Sequence, residues 1–261
     1  MDEKTGRNLH AVNAAGSTSI TTSESPAIQQ RPRKPNTRRR LPRIAVDGPV
    51  GAGKTTAGRM LASRLGFRFL DTGLMYRAIT VAALDAGVRT DDPAALTVLA
   101  RNTSIQLAHS DDGSDRLLLD GHDVTARLRT ADVERHISAV SAVTGVREAL
   151  VEAQRKVADR GGIVMVGRDI GTVVLKDADV KIFLTASPEM RARRRHQELH
   201  SKGHAAAYAE VLDQLKRRDN LDSSRAASPL VAADDAVVIE TDGLSLNEVV
   251  ARMEAIVASG T

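Results

Sequence analysis

The order of apolar and polar positions changes character near residue 41. From Leu41 onward, short apolar runs alternate with longer segments whose apolar positions recur at helical spacing. LPRIAVD (41–47) reads as a buried strand, and residues 53–66 as a helix ended by Gly66. FRFLD (67–71) is a second strand, and LMYRAITVAALDAG (74–87) a second helix stopped at Gly87. GIVMVG (162–167), VKIFLTA (180–186) and AVVIET (236–241) are further short β-rich runs, with helical patterns between them. Ser187 before Pro188 and Glu189 marks a helix start, with serine as the cap and proline in the first turn. Ser245 and Glu248 have the spacing of a capping box for the last helix. Strands alternating with helices predict the α/β class, a central parallel sheet covered by helices on both faces.

One segment departs from that rhythm. TSIQLAHSDDGSDRLLLDGHDVT (103–125) has short β-like runs separated by DDGSD and DGHD, both turn-forming sequences. It predicts a small antiparallel insert in the α/β fold.

Residues 1–40 show no apolar periodicity and are rich in Ser, Thr, Pro, Gln and Arg. Such a segment cannot bury enough apolar surface to offset its ordering entropy, so it is expected to be a disordered tail. It also holds eight Lys/Arg against three Asp/Glu, which accounts for the net charge of +4 of the whole chain. Residues 41–261, the expected folded domain, are close to neutral, so the basic balance does not mark that domain as a binder of specific nucleic acid. Aromatic residues at 2% also leave too few rings for a base-stacking platform. With no cysteine, disulfides and thiolate metal sites are excluded, in keeping with a cytoplasmic protein. No apolar run is long enough to span a membrane. His196, His200 and His204 share helical spacing but sit among Lys202 and several arginines, an environment that repels a metal ion.

Gly48-Pro49-Val50-Gly51-Ala52-Gly53-Lys54-Thr55, continued by Thr56, fits the pattern G-x-x-x-x-G-K-[ST] between a predicted strand and a predicted helix. Glycines let the backbone curl so that its N–H groups converge on phosphate oxygens at a helix N-terminus. Lys54 then reaches the β- and γ-phosphates of ATP, and the Thr55 hydroxyl ligates Mg²⁺. A guanine-reading N-K-x-D is absent from the sequence. Arginines in glycine- or acid-bounded settings recur instead: Arg77, Arg147, Arg168, Arg194, Arg195, Arg218 and Arg225. Any one of them alone could be a solvated surface charge. Together they suit phosphoryl transfer to a second phosphate-bearing molecule, which needs positive charge around the group in flight.

DTGLMYR (71–77) resembles the D-[ST]-G-x-x-Y-R element of the bacterial cytidylate kinases. VGRDIGTVV (166–174) resembles their G-R-D-x-G-T-V-V segment, and LKRRDNLDSSRAASPL (215–230) their R-D-x-x-D-x-x-R-x-x-x-P-L. The likeness runs from about Ile44 to Val257, and the 103–125 insert matches the extra β segment of that family. Val50 stands where the family often has serine, and Thr55 where it often has glycine.

The resemblance implies a P-loop kinase with a monophosphate-binding lobe at about 72–160 and a lid at about 191–226. It implies ATP-dependent phosphorylation of CMP and dCMP. Thr72, Tyr76 and Arg77 would lie along the acceptor. Ser138, Arg147 and Asp169 would face the cytosine, and Asp222 the ribose hydroxyls. Arg168, Arg218 and Arg225 would hold the acceptor phosphate and the transferring group, with Arg194 and Arg195 closing over ATP. Asp169 beside Arg168 could instead form a surface salt bridge. The expected state is a monomer with nucleotides as its partners. Two other readings fit parts of the chain: a P-loop kinase for UMP, AMP or shikimate, and a nucleic-acid-binding ATPase using the basic tail.

Overall fold

The computed structural model describes residues 40–109, 115–201, 203, 205–225 and 228–260. The expected tail, apart from Arg40, and most of the DDGSD turn lie outside the described residues.

Five strands form one parallel sheet in the order β2-β6-β1-β7-β8: β1 (Arg43–Asp47), β2 (Arg68–Asp71), β6 (Ile163–Val166), β7 (Val180–Thr185) and β8 (Val237–Glu240). The inner strands read as unbroken apolar runs because both of their faces are covered. Ile44, Val46, Val164 and Val166 pack with Leu61 of α1 (Lys54–Leu65) and Val250 and Met253 of α8 (Leu246–Gly260). The alternate positions Ala45, Ile163 and Met165 face the other way. They meet Met75 and Ile79 of α2 (Thr72–Asp85) and Leu150 of α5 (Thr144–Ala158). A one-residue slip of either strand would exchange these two sets.

Between α2 and β6 the chain builds a lobe of α3 (Pro93–Asn102), a three-stranded antiparallel sheet and α4 (Ala131–Ala142). The small sheet pairs β3 (Ile105–His109) with β4 (Asp115–Leu119), and β4 with β5 (His122–Asp123). At the β4–β5 turn, Asp120 and Gly121 both have positive φ, 48° and 84°, which is the twist a two-residue hairpin turn requires. After β7, α6 (Pro188–Ser201) and α7 (Tyr208–Ser223) lie against each other through Ala192, Val211 and Leu215, with Val50 packed on that cluster.

Most predicted boundaries match to within two residues. The start of α2 lies two residues earlier, at Thr72, because the Asp71 carboxylate caps it by accepting from Gly73 N–H at 3.0 Å. Ser187 and the Ser245–Glu248 box both make their capping hydrogen bonds. No described helix is long and apolar enough to cross a membrane.

Candidate active site

A cleft of about 560 Å³ opens at the carboxyl ends of β1, β2 and β6, where open α/β sheets place ligands. Its donor side is the loop between β1 and α1. Gly48 has φ 144°, and a Cβ there would lie 2.0 Å from the Leu184 carbonyl oxygen, so only glycine fits against β7. Gly53 precedes α1 in the left-handed region, with no side chain capping the helix and no acid in its first turn. The first N–H groups of α1 are therefore left for an anion.

Lys54 is buried, and its Nζ donates to the Pro49 carbonyl at 2.7 Å. Burial, reinforced by the nearby Arg168 charge, pulls its ammonium well below the ordinary lysine range. Phosphate oxygens would reverse that. Thr55 Oγ1 donates to Asp71 Oδ2 at 2.9 Å, which sets a hydroxyl beside a carboxylate at the cleft wall. Arg191 is buried beneath the loop, donating to the Val50 carbonyl at 3.1 Å and pairing with Asp219 of α7 at 2.6 Å.

The acceptor side begins where β6 ends. Gly167, Arg168 and Asp169 turn into a short π-helical segment, Ile170–Val174. Asp47, the last residue of β1, anchors that turn by accepting from Ile170 N–H at 2.8 Å and Gly171 N–H at 2.7 Å. Burial pushes the Asp47 carboxyl up to about 6, with the two N–H donors acting in the opposite direction. Asp169 forms a buried ion pair with Arg147 of α5, and the Arg147 guanidinium lies over the Tyr76 ring at 5.4 Å. The surface-bridge alternative for Asp169 is thereby removed: its partner is Arg147, and both side chains are 6% exposed. Burial raises the Tyr76 hydroxyl to about 12, so it stays a neutral hydrogen-bonding group. The Thr72 hydroxyl donates to the Val166 carbonyl at 3.0 Å.

Four further arginines converge on this side, each joined to a carboxylate. Asp222 of α7 accepts from Arg168 at 3.0 Å and Arg225 at 2.5 Å. Glu134 of α4 accepts from Arg77 at 2.7 Å and Arg218 at 3.4 Å. Burial, with the Arg168 charge next in importance, lowers the Arg218 guanidinium. Burial opposes ionisation of Glu134, yet Arg77 and Arg218 outweigh it and keep its carboxyl below the usual range.

The cleft brings together Val50, Gly51, Gly53, Lys54, Thr55, Thr56, Thr72, Tyr76, Arg77, Arg147, Arg168, Asp169, Arg194, Arg195, Arg218, Asp222 and Arg225. Gly48, Pro49 and Ala52 belong to the loop but do not line the cleft. Arg194 donates to Thr241 at 2.8 and 3.0 Å, and Arg195 to Glu198 at 2.8 Å. Ser138 does not line the cleft; Ser141, one turn later on α4, does, and accepts from Arg225 at 3.2 Å. Asp47, Glu134, Arg191 and Ser141 escape the motif reading, and Asp71, though it opens the DTGLMYR motif, is given no role there. Asp47 and Asp71 carry a sequence signal, a lone acid closing an apolar strand. Glu134 and Ser141 look like any polar positions on an amphipathic helix.

A family model described as cytidylate kinase matches residues 44–259. A cytidylate kinase of Pelotomaculum thermopropionicum is 48% identical over 84% of this chain and 97% of its own length. One from Carboxydothermus hydrogenoformans is 48% identical over 82% and 96%, respectively.

The chain belongs to the cytidylate kinase family.

A family member from Mycobacterium leprae is likewise 48% identical, over 80% of this chain and 92% of its own length. Among solved structures, the shikimate kinase of Acinetobacter baumannii aligns with 85% of this chain and 95% of its own, at 20% identity and a TM-score of 0.41. At that level the alignment adds nothing to the family assignment. As a cytidylate kinase family member the chain is a nucleoside monophosphate kinase, an ATP-dependent phosphotransferase.

Proposed function

We propose that this protein transfers the γ-phosphoryl group of ATP in line to CMP and dCMP. The observation that carries the acceptor reading is the buried Arg147–Asp169 pair against Tyr76, beside a cradle of four arginines. Cytosine offers an N4 amino donor and an N3 acceptor, which a carboxylate and a guanidinium complement. Uracil reverses both groups and would leave charges unpaired.

In this reading the Gly48–Thr55 loop and Lys54 hold the donor phosphates. Arg194 and Arg195 approach ATP from the lid formed by α6 and α7. Arg77, Arg168, Arg218 and Arg225 gather the acceptor phosphate and the charge of the transferring group. Tyr76 and Thr72 position the acceptor, and Asp222 takes the ribose hydroxyls. Ser141 joins the base-facing wall in place of Ser138. The Thr55 hydroxyl and Asp71 carboxylate form an all-oxygen donor pair of the kind Mg²⁺ takes together with substrate phosphates. These two residues would hold the ion, which neutralises phosphate charge when bound. Closure of the lid excludes water and favours transfer over hydrolysis.

An acceptor panel in a coupled ADP assay tests this. CMP and dCMP should give the highest kcat/KM, with UMP, AMP and shikimate far below. A preference for any of the latter three overturns the acceptor reading. ATP hydrolysis stimulated by nucleic acid and indifferent to CMP would favour a nucleic-acid-dependent ATPase.

A further inference from the structure

We propose that Glu134 is a built-in counter-anion of the acceptor-phosphate cradle, occupying the place between Arg77 and Arg218 that the incoming phosphate takes and thereby setting how tightly it is bound. The inference rests on the acceptor reading above.

Glu134 is 27% exposed at the cleft wall and reaches two elements at once. One carboxylate oxygen accepts from Arg77 of α2 at 2.7 Å, the other from Arg218 of α7 at 3.4 Å. A carboxylate and a phosphate offer guanidinium groups the same pair of acceptor oxygens, so the two anions compete for one place. The electrostatics explain why an anion is needed before the ligand arrives. Arg218 is partly desolvated, and the Arg168 and Arg77 charges both act against its own. The Glu134 charge acts the other way, as does Asp222.

The two carboxylates differ in attachment. Asp222 lies on α7 itself, three residues from its partner Arg225. Glu134 lies on α4, across the cleft from α7. Asp222 is 2% exposed and held by Arg168 and Arg225, whereas Glu134, 27% exposed, can be displaced by a ligand that takes over both of its arginines. A phosphate dianion binding there must move Glu134 aside or sit against a like charge. Either course weakens binding relative to a cradle that lacks the carboxylate.

Glu134→Gln keeps shape and removes the charge. Calorimetry on the full chain should show inorganic phosphate and CMP binding about tenfold more tightly to this variant, the scale of one unit charge at a partly exposed site. Cytidine, which lacks the phosphate, should bind unchanged. In steady state KM for CMP should fall while KM for ATP stays constant. The ligand-free variant should also melt below the wild type, with added phosphate narrowing the gap, because Arg77 and Arg218 then lose their shared carboxylate. Glu134→Asp, with its carboxylate withdrawn by one methylene, should shift phosphate affinity in the same direction by less, and it decides the matter if the glutamine variant does not fold.

Unchanged or weaker phosphate binding would overturn the proposal and make Glu134 a strut that holds the arginines in place. An equal change for cytidine would overturn it too. Failure of the acceptor reading looks different. CMP would not be turned over, yet the inorganic phosphate arm would still report on Glu134.

Discussion

In the proposed reading, the phosphate-facing groups at the donor end of the cleft come mainly from one stretch of chain, Gly48–Thr55, and are mostly backbone. At the acceptor end they come from α2, α4, α5, α7 and the turn after β6, and are side chains. Backbone N–H groups carry partial charges and tolerate waiting for an anion. Clustered guanidinium groups do not. Five arginines at the acceptor end are accordingly joined to carboxylates, Arg77 and Arg218 to Glu134, Arg168 and Arg225 to Asp222, Arg147 to Asp169, while Arg129 lines the same cleft without such a pairing among the described residues. Lys54, at the donor end, hydrogen-bonds a carbonyl instead, and burial lowers its ammonium accordingly. The donor end is thus built from backbone N–H groups and one buried lysine, and the acceptor end from arginines mostly paired with carboxylates. In the proposed reading, displacement of Glu134 by the acceptor phosphate is the step that separates acceptor binding from donor binding.

Lys54→Ala gives the largest expected effect. It removes the one full side-chain charge of the donor loop, so kcat should fall by about 10²–10³-fold or more, the scale for loss of a preorganised group at a transferring phosphoryl. The fold should survive, because a buried ammonium is itself costly there. Near-normal turnover would take the loop out of the catalytic account.

Asp47→Asn probes the joint between the two ends, since Asp47 closes the strand that leads into the donor loop and anchors the turn that carries Asp169. The Asp47 carboxyl is raised from an ordinary 3.8 to about 6, so its favourable contribution to folding is complete below about 3.8 and is lost as pH rises through about 6. Urea unfolding of both proteins should show the wild type gaining about 2–3 kcal/mol on the variant as pH falls from 7 to 4. A difference independent of pH, or one of opposite sign, would show that the Asp47 carboxyl is not raised.

The contrast between the two ends also explains how much could be read from the sequence. The donor loop was legible in full because its chemistry requires glycines, a lysine and a hydroxyl in one contiguous order. Inner strands were legible because a parallel sheet buried on both faces leaves apolar runs such as IVMV in β6. The lobe between α2 and β6 was harder. Its helices α4 and α5 are separated by Val143 alone, in extended conformation, with no glycine or proline at that residue. Arginines of the acceptor end were visible through resemblance, but apart from Asp222, three residues from Arg225, their carboxylate partners lie far away in sequence. Glu134 is 84 residues from Arg218, and Arg147 is 22 from Asp169. Such pairings come from topology, which no local pattern encodes. Ser138 and Ser141 show the same limit on a smaller scale. Both sit on α4, but Ser141 shares its buried face with Val133, Ile137 and Val140 and reaches the cleft.

The most direct test of the acceptor end is the CMP-to-UMP ratio of kcat/KM in Asp169→Asn, measured with ATP saturating. The substitution keeps the size of the side chain and one carbonyl acceptor while removing the charge that pairs with Arg147 and with an exocyclic amino group. Turnover of CMP should drop strongly and that of UMP much less, so the ratio should narrow towards unity. Equal losses for both acceptors would contradict the account: Asp169 would then serve the phosphate or the metal, and the Arg147–Asp169 pair would not be what reads the base.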